Sequence, residues 1–465
     1  MTLKGKITMP TVTSLNGADY GMVAGTGTDQ TANFQAAINA AQTQGLPLFI
    51  PAGSYSITTV NITAPVEIYS AAGNAVIQGY QRSPTINVAP AGSGASFGPV
   101  YLHDLTVTGQ FQSFPAGLTN PALISVSNVA GIAIERCSLL QSGHHGIYLD
   151  LSSGVIKDCT VSQPAEFGVY SVDCNNGGML IDSNRVLYAG NNGIYIQRSS
   201  ASGDQSIVSN NLIGFTSAND GGTGPFGNGV IVYLADFVKV QGNMIYSSAF
   251  SAIRFNGSSF AEITGNQCYS SSEMAIRIEA AASNTPFFGG IVANNIINTA
   301  GTGISISNSN NGARETIITA NQIYSCSNNS FPGYQTWGTG IWAEADVVVN
   351  DNIVDSCADW GVVVYPTNNG SLGTQKISAQ AMNNTIKNCA GGIGFYQADT
   401  TYGRVFVGGN VVNNFTTTSK YAAIVPITYN GATGEIKKVT GTPDLGNATT
   451  SGFANVKLLL NYSFT

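Results

Sequence analysis

In a chain of 465 residues with only 9% charged side chains, two arginines and two glutamates fall at matching points of a recurring five-residue phrase. Arg254 is third in Ala252-Ile-Arg-Phe-Asn256. Arg277 and Glu279 are third and fifth in Ala275-Ile-Arg-Ile-Glu279, and Glu344 is fifth in Gly340-Ile-Trp-Ala-Glu344. If these phrases lie side by side as strands, third and fifth residues share one face, and neighbouring copies sit about 4.8 Å apart. Two guanidinium groups at that distance repel unless an acid or an anionic ligand lies beside them. Glu279 and Glu344 then stand two copies apart, about 9.6 Å between Cα atoms, and flexible side chains can bring their carboxyls within the ~6.5–9.5 Å used by acid and base in inverting glycoside hydrolysis. In that arrangement one Glu is the general acid and the other the base, while Arg254 and Arg277 orient an acidic or hydroxyl-rich substrate.

Other chemistries compete. Elimination from a uronate polymer would use the arginines to neutralise the sugar carboxylate and Tyr233 or Tyr195 as base, because a guanidinium with a pKa above about 12 is unsuited to take a proton. A plainer account is an ion-pair ladder in which Glu279 and Glu344 satisfy the arginines and nothing else follows. Exposed pairs contribute about 0–1 kcal/mol, a weak reason to concentrate scarce charge on one face. His144 and His145 precede a strand that ends in outward Asp150, but adjacent residues of an extended chain point to opposite sides, so at most one histidine faces a cleft. Asp220 sits in Gly-rich text and reads as a solvated loop residue. No phosphate loop, nucleophile elbow or paired-cysteine metal motif occurs, so neither metal nor cofactor is expected.

What must position these groups is a repeat. Ten copies of the phrase run from Gly146-Ile-Tyr-Leu-Asp150 to Gly392-Ile-Gly-Phe-Tyr396, their starts 21 to 37 residues apart. Half a repeat out of step, an asparagine recurs at 184, 211, 243, 266, 295, 321, 352, 384 and 410. An irregular period with a floor near 21 describes a solenoid whose coils accept loop insertions, and the asparagines describe a ladder of side-chain amides stacked at its turns. The expected fold is all-β, a single-stranded right-handed parallel β-helix of about 10–12 coils. Cys137 and Cys159 occupy the ladder position in the two coils before Asn184, while Cys326, Cys357 and Cys389 each follow a ladder asparagine by five residues. Buried stacked residues explain these cysteines better than disulfides.

The outward third positions read Tyr148, Tyr170, Tyr195, Ile231, Arg254, Arg277, Ser305, Trp342, Val363 and Gly394. The fifth positions include Gln197, Tyr233, Asn256, Glu279, Ser307 and Glu344. The two longest intervals place extra residues at 217–228 and 327–338, carrying Phe226, Phe331, Tyr334 and Trp337. These insertions are expected to wall a cleft over the charged coils, with aromatic faces suited to sugar rings. Tyr195, Tyr233, Asn256, Trp342, Trp337 and Tyr334 join the two arginines as expected substrate contacts.

A net charge of −7 argues against nucleic acid or an anionic membrane surface as partner. No apolar run approaches the roughly 20 residues that span a bilayer. Met1–Asn16 lacks a charged segment followed by an apolar one, so it reads as an added remnant or a strap along the surface, with no signal peptide. Thr28 or Asp29 can cap a helix with apolar face Phe34, Ala37, Ile38 and Ala41, ending near Gly45 and plugging the open first coil.

Asp29-x-Thr31, Gln35-Ala-Ala-Ile-Asn39-Ala-Ala41 and Ile50-Pro-Ala-Gly53-Ser-Tyr55 resemble the opening motif of pectate-lyase-like β-helix proteins. That superfamily includes polysaccharide lyases, glycoside hydrolases and phage tailspikes. Phe250-Ser-Ala-Ile-Arg254, Glu273-Met-Ala-Ile-Arg-Ile-Glu279 and Gly221-Gly-Thr-Gly224 are similar to repeat proteins exported by the twin-arginine route in alphaproteobacteria. The resemblance implies the fold and a secreted or periplasmic location, and it transfers no catalytic residues. The chain therefore divides into a strap and cap helix (1–60), the β-helix (61–415) and a last coil with a C-terminal cap (416–465). Val456-Lys-Leu-Leu-Leu460 falls in the last part. The expected activity is cleavage of glycosidic bonds in a polysaccharide or oligosaccharide bound across the coils. The alternatives are β-elimination and a non-catalytic glycan-binding or structural surface protein.

Overall fold

The computed structural model describes residues 13–79, 84–92, 95–109, 121–174, 177–219, 226–281, 287–307, 314–331, 334–344, 346–365, 377–396, 403–416, 418, 420–430, 435–439 and 454–455. They form a right-handed parallel β-helix with one α-helix. Each coil has three sides, as in Ser153–Lys157, Thr160–Ser162 and Val169–Val172. One coil on, the partners are in register: Val155 with Leu180, Val161 with Val186, Tyr170 with Tyr195. The side before the asparagine turn alone runs to fifteen hydrogen-bonded strands.

Alternation along each strand explains the core. In Val66–Ser70 and Ala75–Gly79 every second residue is buried, and stacking these inward columns coil on coil makes one continuous apolar interior that grows along the axis.

The turn between the first two sides shows why an asparagine recurs. The residue before it is left-handed in successive coils: Ser183 (φ 58°), Asn210 (56°), Gly242 (65°), Gly265 (67°) and Asn294 (58°). That bend turns main-chain groups away from the ladder of strands, and a buried amide replaces the lost partners. Asn211 donates its main-chain N–H (3.0 Å) and its Nδ2 (2.9 Å) to Asn243 Oδ1, and its Nδ2 also to Ile181 O at 2.9 Å. The pattern repeats through Asn410, and all nine asparagines are buried. Cys159 does the same work with a thiol: its N–H donates to Asn184 Oδ1 at 2.9 Å and its Sγ to Ile134 O at 3.4 Å. All seven cysteines are buried and free.

At the N-terminal end, helix α1 (Thr31–Gln44) buries Phe34, Ala37, Ile38 and Ala41. Of the two candidate caps, Asp29 accepts the Thr31 N–H at 2.9 Å, and Gly45 closes the helix in the left-handed region at φ 64°. At the other end, Ile424–Asn430 pairs in parallel with Gly391–Tyr396 and antiparallel with Glu435–Lys438. Val456–Leu460 and Asp220 lie outside the described residues.

Candidate functional site

Six strands build the region around the arginines: β1 (Ile253–Asn256), β2 (Gln267–Glu279), β3 (Ile296–Ser307), β4 (Asn328–Phe331), β5 (Tyr334–Trp337) and β6 (Ile341–Glu344). The outward columns stand in the expected register. Arg254 pairs with Arg277, Arg277 with Ser305, and Ser305 with Trp342; Asn256 pairs with Glu279, and Glu279 with Ser307.

Two acids answer both arginines, and one of them is a residue the repeat phrase did not contain. Glu273, completely buried, accepts from Arg254 (3.2 Å) and Arg277 (2.6 Å) through different oxygens. Glu279 does likewise, with Oε1 on Arg254 Nε at 2.7 Å and Oε2 on Arg277 at 2.7 Å. Two guanidiniums and two carboxylates thus close a ring of zero formal charge. Ser251 donates to Glu273 at 2.8 Å and Asn256 to Glu279 at 3.1 Å. Arg254 is 4% exposed. This departs from the expectation of an open charged floor. Desolvated arginines are stable only when their donors are matched by acids, and here the matching is internal.

Glu344 takes no place in that ring. It accepts the Trp342 indole N–H at 2.8 Å and lines a pocket of about 170 Å³. The insertion at 327–338 roofs it: β4 and β5 form an antiparallel hairpin, Phe331 opposite Tyr334 and Asn328 opposite Trp337. Asn329 Nδ2 reaches back to Ser272 O at 2.8 Å, and Phe331 packs on Phe250 with ring centroids 5.6 Å apart. Trp337 and Trp342 stand in the lining with Gln335, over a floor of Ser305 and Ser307. Lys420 Nζ lies 5.4 Å from the Trp337 ring centroid and pairs at 3.1 Å with Asp359. Burial pushes the Asp359 carboxyl above the usual range, against the pull of Lys420 and of the Tyr421 hydroxyl.

The remaining expected contacts separate into two groups. Trp337, Trp342 and Glu344 come together at the pocket, whereas Arg254, Arg277, Glu279 and Asn256 belong to the ring beside it. Tyr195 lies apart from both, buried with Phe167 and Ile231, while Tyr233 packs half-buried against that cluster and is the register partner of Asn256 one coil on. Tyr195 stacks on Tyr170 at 5.0 Å, and burial raises its phenol well above the ordinary value, the wrong direction for a base. The backbone of Tyr334 is in the hairpin, but its side chain lies outside the described residues. Of the second insertion, Phe226 is described and does not line the pocket.

The two histidines meet each other, ring centroids 3.9 Å apart. His145 is buried and stacked on Phe167 at 4.8 Å. Burial holds its imidazole well below the usual pKa, and the neighbouring His144 lowers it further. Among the described residues no group of three His, Cys, Asp or Glu side chains could hold a metal, and no helix is long and apolar enough to cross a membrane.

A family model described as a right-handed β-helix region matches residues 119–213. A search of curated protein sequences returns no match. Among solved structures, the chain is similar to the A-module of mannuronan C-5 epimerase AlgE4 of Azotobacter vinelandii, with 17% identity, TM-score 0.51, 67% of this chain and 96% of that one covered. It is similar to the catalytic unit of the GH87 α-1,3-glucanase of Streptomyces thermodiastaticus, with 16% identity, TM-score 0.54 and coverage of 88% and 69%. It is also similar to PfbA, a surface adhesin of Streptococcus pneumoniae, with 14% identity, TM-score 0.53 and coverage of 96% and 99%. At these identities the likeness is one of fold, and the fold is the right-handed parallel β-helix.

Proposed function

We propose that this protein is a carbohydrate-active β-helix that takes a segment of a polysaccharide into the pocket beneath the β4–β5 hairpin. The observation that carries this reading is the convergence of Trp337, Trp342 and Glu344 on one pocket whose floor is two serines. Indole rings offer the apolar faces on which sugar rings stack, and a carboxylate beside them can accept a ring hydroxyl or protonate a glycosidic oxygen. A secreted or periplasmic setting accords with such a substrate and with the resemblance to twin-arginine-exported repeat proteins.

Hydrolysis assigns Glu344 as general acid and Glu279 as the base, two coils away. Glu279 must first release a guanidinium contact, since both its oxygens are engaged by Arg254 and Arg277. That requirement favours the second reading, in which the pocket grips a glycan without cutting it. For elimination Tyr195 is ill suited, buried with its phenol raised, which leaves the half-buried Tyr233 beside Asn256 as its candidate base.

Incubation with a polysaccharide panel, following reducing ends and the absorbance of unsaturated products, separates these modes, and a glycan array reports binding alone. Trp337→Ala is expected to weaken binding about tenfold, on the order of an aromatic stacking contact. Glu344→Gln should abolish any cleavage and leave binding measurable. A panel and an array both blank for the intact chain would remove the proposal.

A further inference from the structure

The hairpin over the pocket forms a two-stranded sheet of its own, and a lone two-stranded ribbon is marginally stable in water. It depends on what it leans against. On one side Asn329 and Phe331 of β4 hold it to Ser272 and Phe250. Strand β5 ends at Trp337, after which the chain bends through Gly338 at φ 81°. The side chain that meets Trp337 there comes from the last coil.

Lys420 Nζ lies 5.4 Å from the centroid of the Trp337 ring and 4.7 Å from that of Tyr421, inside the ~6 Å within which an ammonium is attracted to an aromatic face. A lysine on its flexible stem is ordinarily a roaming charge. This one is seated. Nζ pairs at 3.1 Å with Oδ1 of Asp359, which is 2% exposed. The same oxygen accepts the Tyr421 hydroxyl at 2.9 Å, and Oδ2 accepts the Thr339 hydroxyl at 3.2 Å. The main-chain N–H of Asp359 donates to Gly338 O at 3.2 Å. The acid that fixes the ammonium is therefore tied to the two residues that follow Trp337, and Thr339 itself lines the pocket. The Lys420 backbone is anchored too: its N–H donates to Thr418 Oγ1 at 3.0 Å, and its carbonyl accepts the Lys438 N–H at 3.1 Å.

We infer that Lys420, seated on Asp359, is a positioning residue for the pocket: it holds the Trp337 indole where a sugar ring would stack, so that the last coil completes the site. The inference rests on the glycan reading above for its ligand. The clamp on the indole can be measured without one.

Acrylamide quenching of tryptophan emission, taken for each variant with and without Trp337→Phe, isolates the Trp337 component in the absence of glycan. Lys420→Met is expected to raise the quenching of that component, and Lys420→Arg, which keeps the charge, to restore it. An unchanged component in Lys420→Met overturns the inference. Binding is then followed calorimetrically on the full chain with hexasaccharides of β-1,4-glucan, α-1,4-glucan, galacturonate and mannuronate. For any member that the parent binds, Lys420→Met should weaken affinity about three- to tenfold and Lys420→Arg less than about twofold. In a Trp337→Ala background Lys420→Met should cost nothing further. An equal loss in both backgrounds would show that Lys420 merely stabilises the last coil, and it overturns the positioning role. Blank titrations with an empty glycan array remove the glycan reading, and the quenching comparison still decides the clamp. Should Lys420→Met fail to fold, Lys420→Gln, which keeps a donor toward Asp359 without the charge, takes its place with the same expectations.

Discussion

Two columns of polar side chains climb the same coils and differ in kind. At the asparagine turn each member from Asn184 to Asn384 makes nearly the same bonds to the asparagine of the next coil, because every coil presents the same left-handed bend. On the outer face of the cleft-bearing side, the content changes every few coils: aromatic at Tyr148, Tyr170 and Tyr195, charged at Arg254 and Arg277, a small hydroxyl at Ser305 and an indole at Trp342. A repeated backbone problem forces a repeated side chain. A surface released from that problem is free to vary, and the variation is where function resides.

Breaking the inner column should have the largest effect. Asn243→Leu removes the acceptor of the Asn211 N–H and Nδ2 and leaves Val208 O and Gln241 O without their donor. With each orphaned buried group costing about 1–3 kcal/mol, a loss of about 3–6 kcal/mol in urea unfolding is expected. A loss below about 1 kcal/mol would mean that the ladder is incidental to the turn. Next comes the outer ring. Glu273→Gln leaves two arginines with one full acid, and breaking a buried pair costs about 3–5 kcal/mol. Glu273→Gln combined with Arg254→Met restores charge balance and should recover part of that loss, a recovery that a purely steric role for Glu273 does not provide.

The contrast also explains what could be read without coordinates. Asn184 to Asn410 and the inward apolar positions are periodic, so their spacing alone placed them at turns and in the core. Glu273 stands two residues before Ala275, outside the five-residue phrase, within the long strand β2 that bends between two sides. Period-two reasoning gives such a corner residue no face. A charge count would have pointed to it: two adjacent outward arginines and one acid in the next position leave one positive charge unmatched, and Glu273 is the nearest carboxylate in sequence. The insertion at 327–338 was visible as surplus length, but the pocket exists because the hairpin leans back onto Ser272 and Phe250. That direction depends on side-chain contacts between coils, which spacing does not encode. Tyr195 pointed outward as expected and still left the solvent, because Phe167 covers it from the preceding turn.

A pH measurement probes the sealed aromatic end of the outer column. His145 is neutral in the fold because burial depresses its pKa well below 6.5, whereas in the unfolded chain it protonates near that ordinary value. Its contribution to stability is therefore complete above about pH 6.5 and is lost progressively as pH falls toward the depressed value, by up to about 1.4 kcal/mol per unit. His145→Phe keeps a ring against Phe167 and removes the proton. The difference in melting temperature between variant and parent should shift in favour of the variant between pH 7 and 5. A constant difference across that range would place the imidazole in water.

The smallest effect is the sharpest test of whether the inner column is interchangeable. Cys159 already uses its sulfur where later coils use an amide, donating to Ile134 O as Asn184 donates to Ile156 O at 2.9 Å. An asparagine there fits nearly the same volume, keeps that carbonyl bonded and offers an Oδ1 acceptor toward the Cys137 coil below, which stands where that of Asn211 stands for the Asn184 N–H. Cys159→Asn is expected to be neutral or stabilising by up to about 1 kcal/mol, the net worth of exchanging a weak thiol bond for an amide one. A destabilisation of more than about 2 kcal/mol would show that the first coils bend differently from the rest. The ladder would then be a property of the later coils, and the two columns would differ less than their chemistry implies.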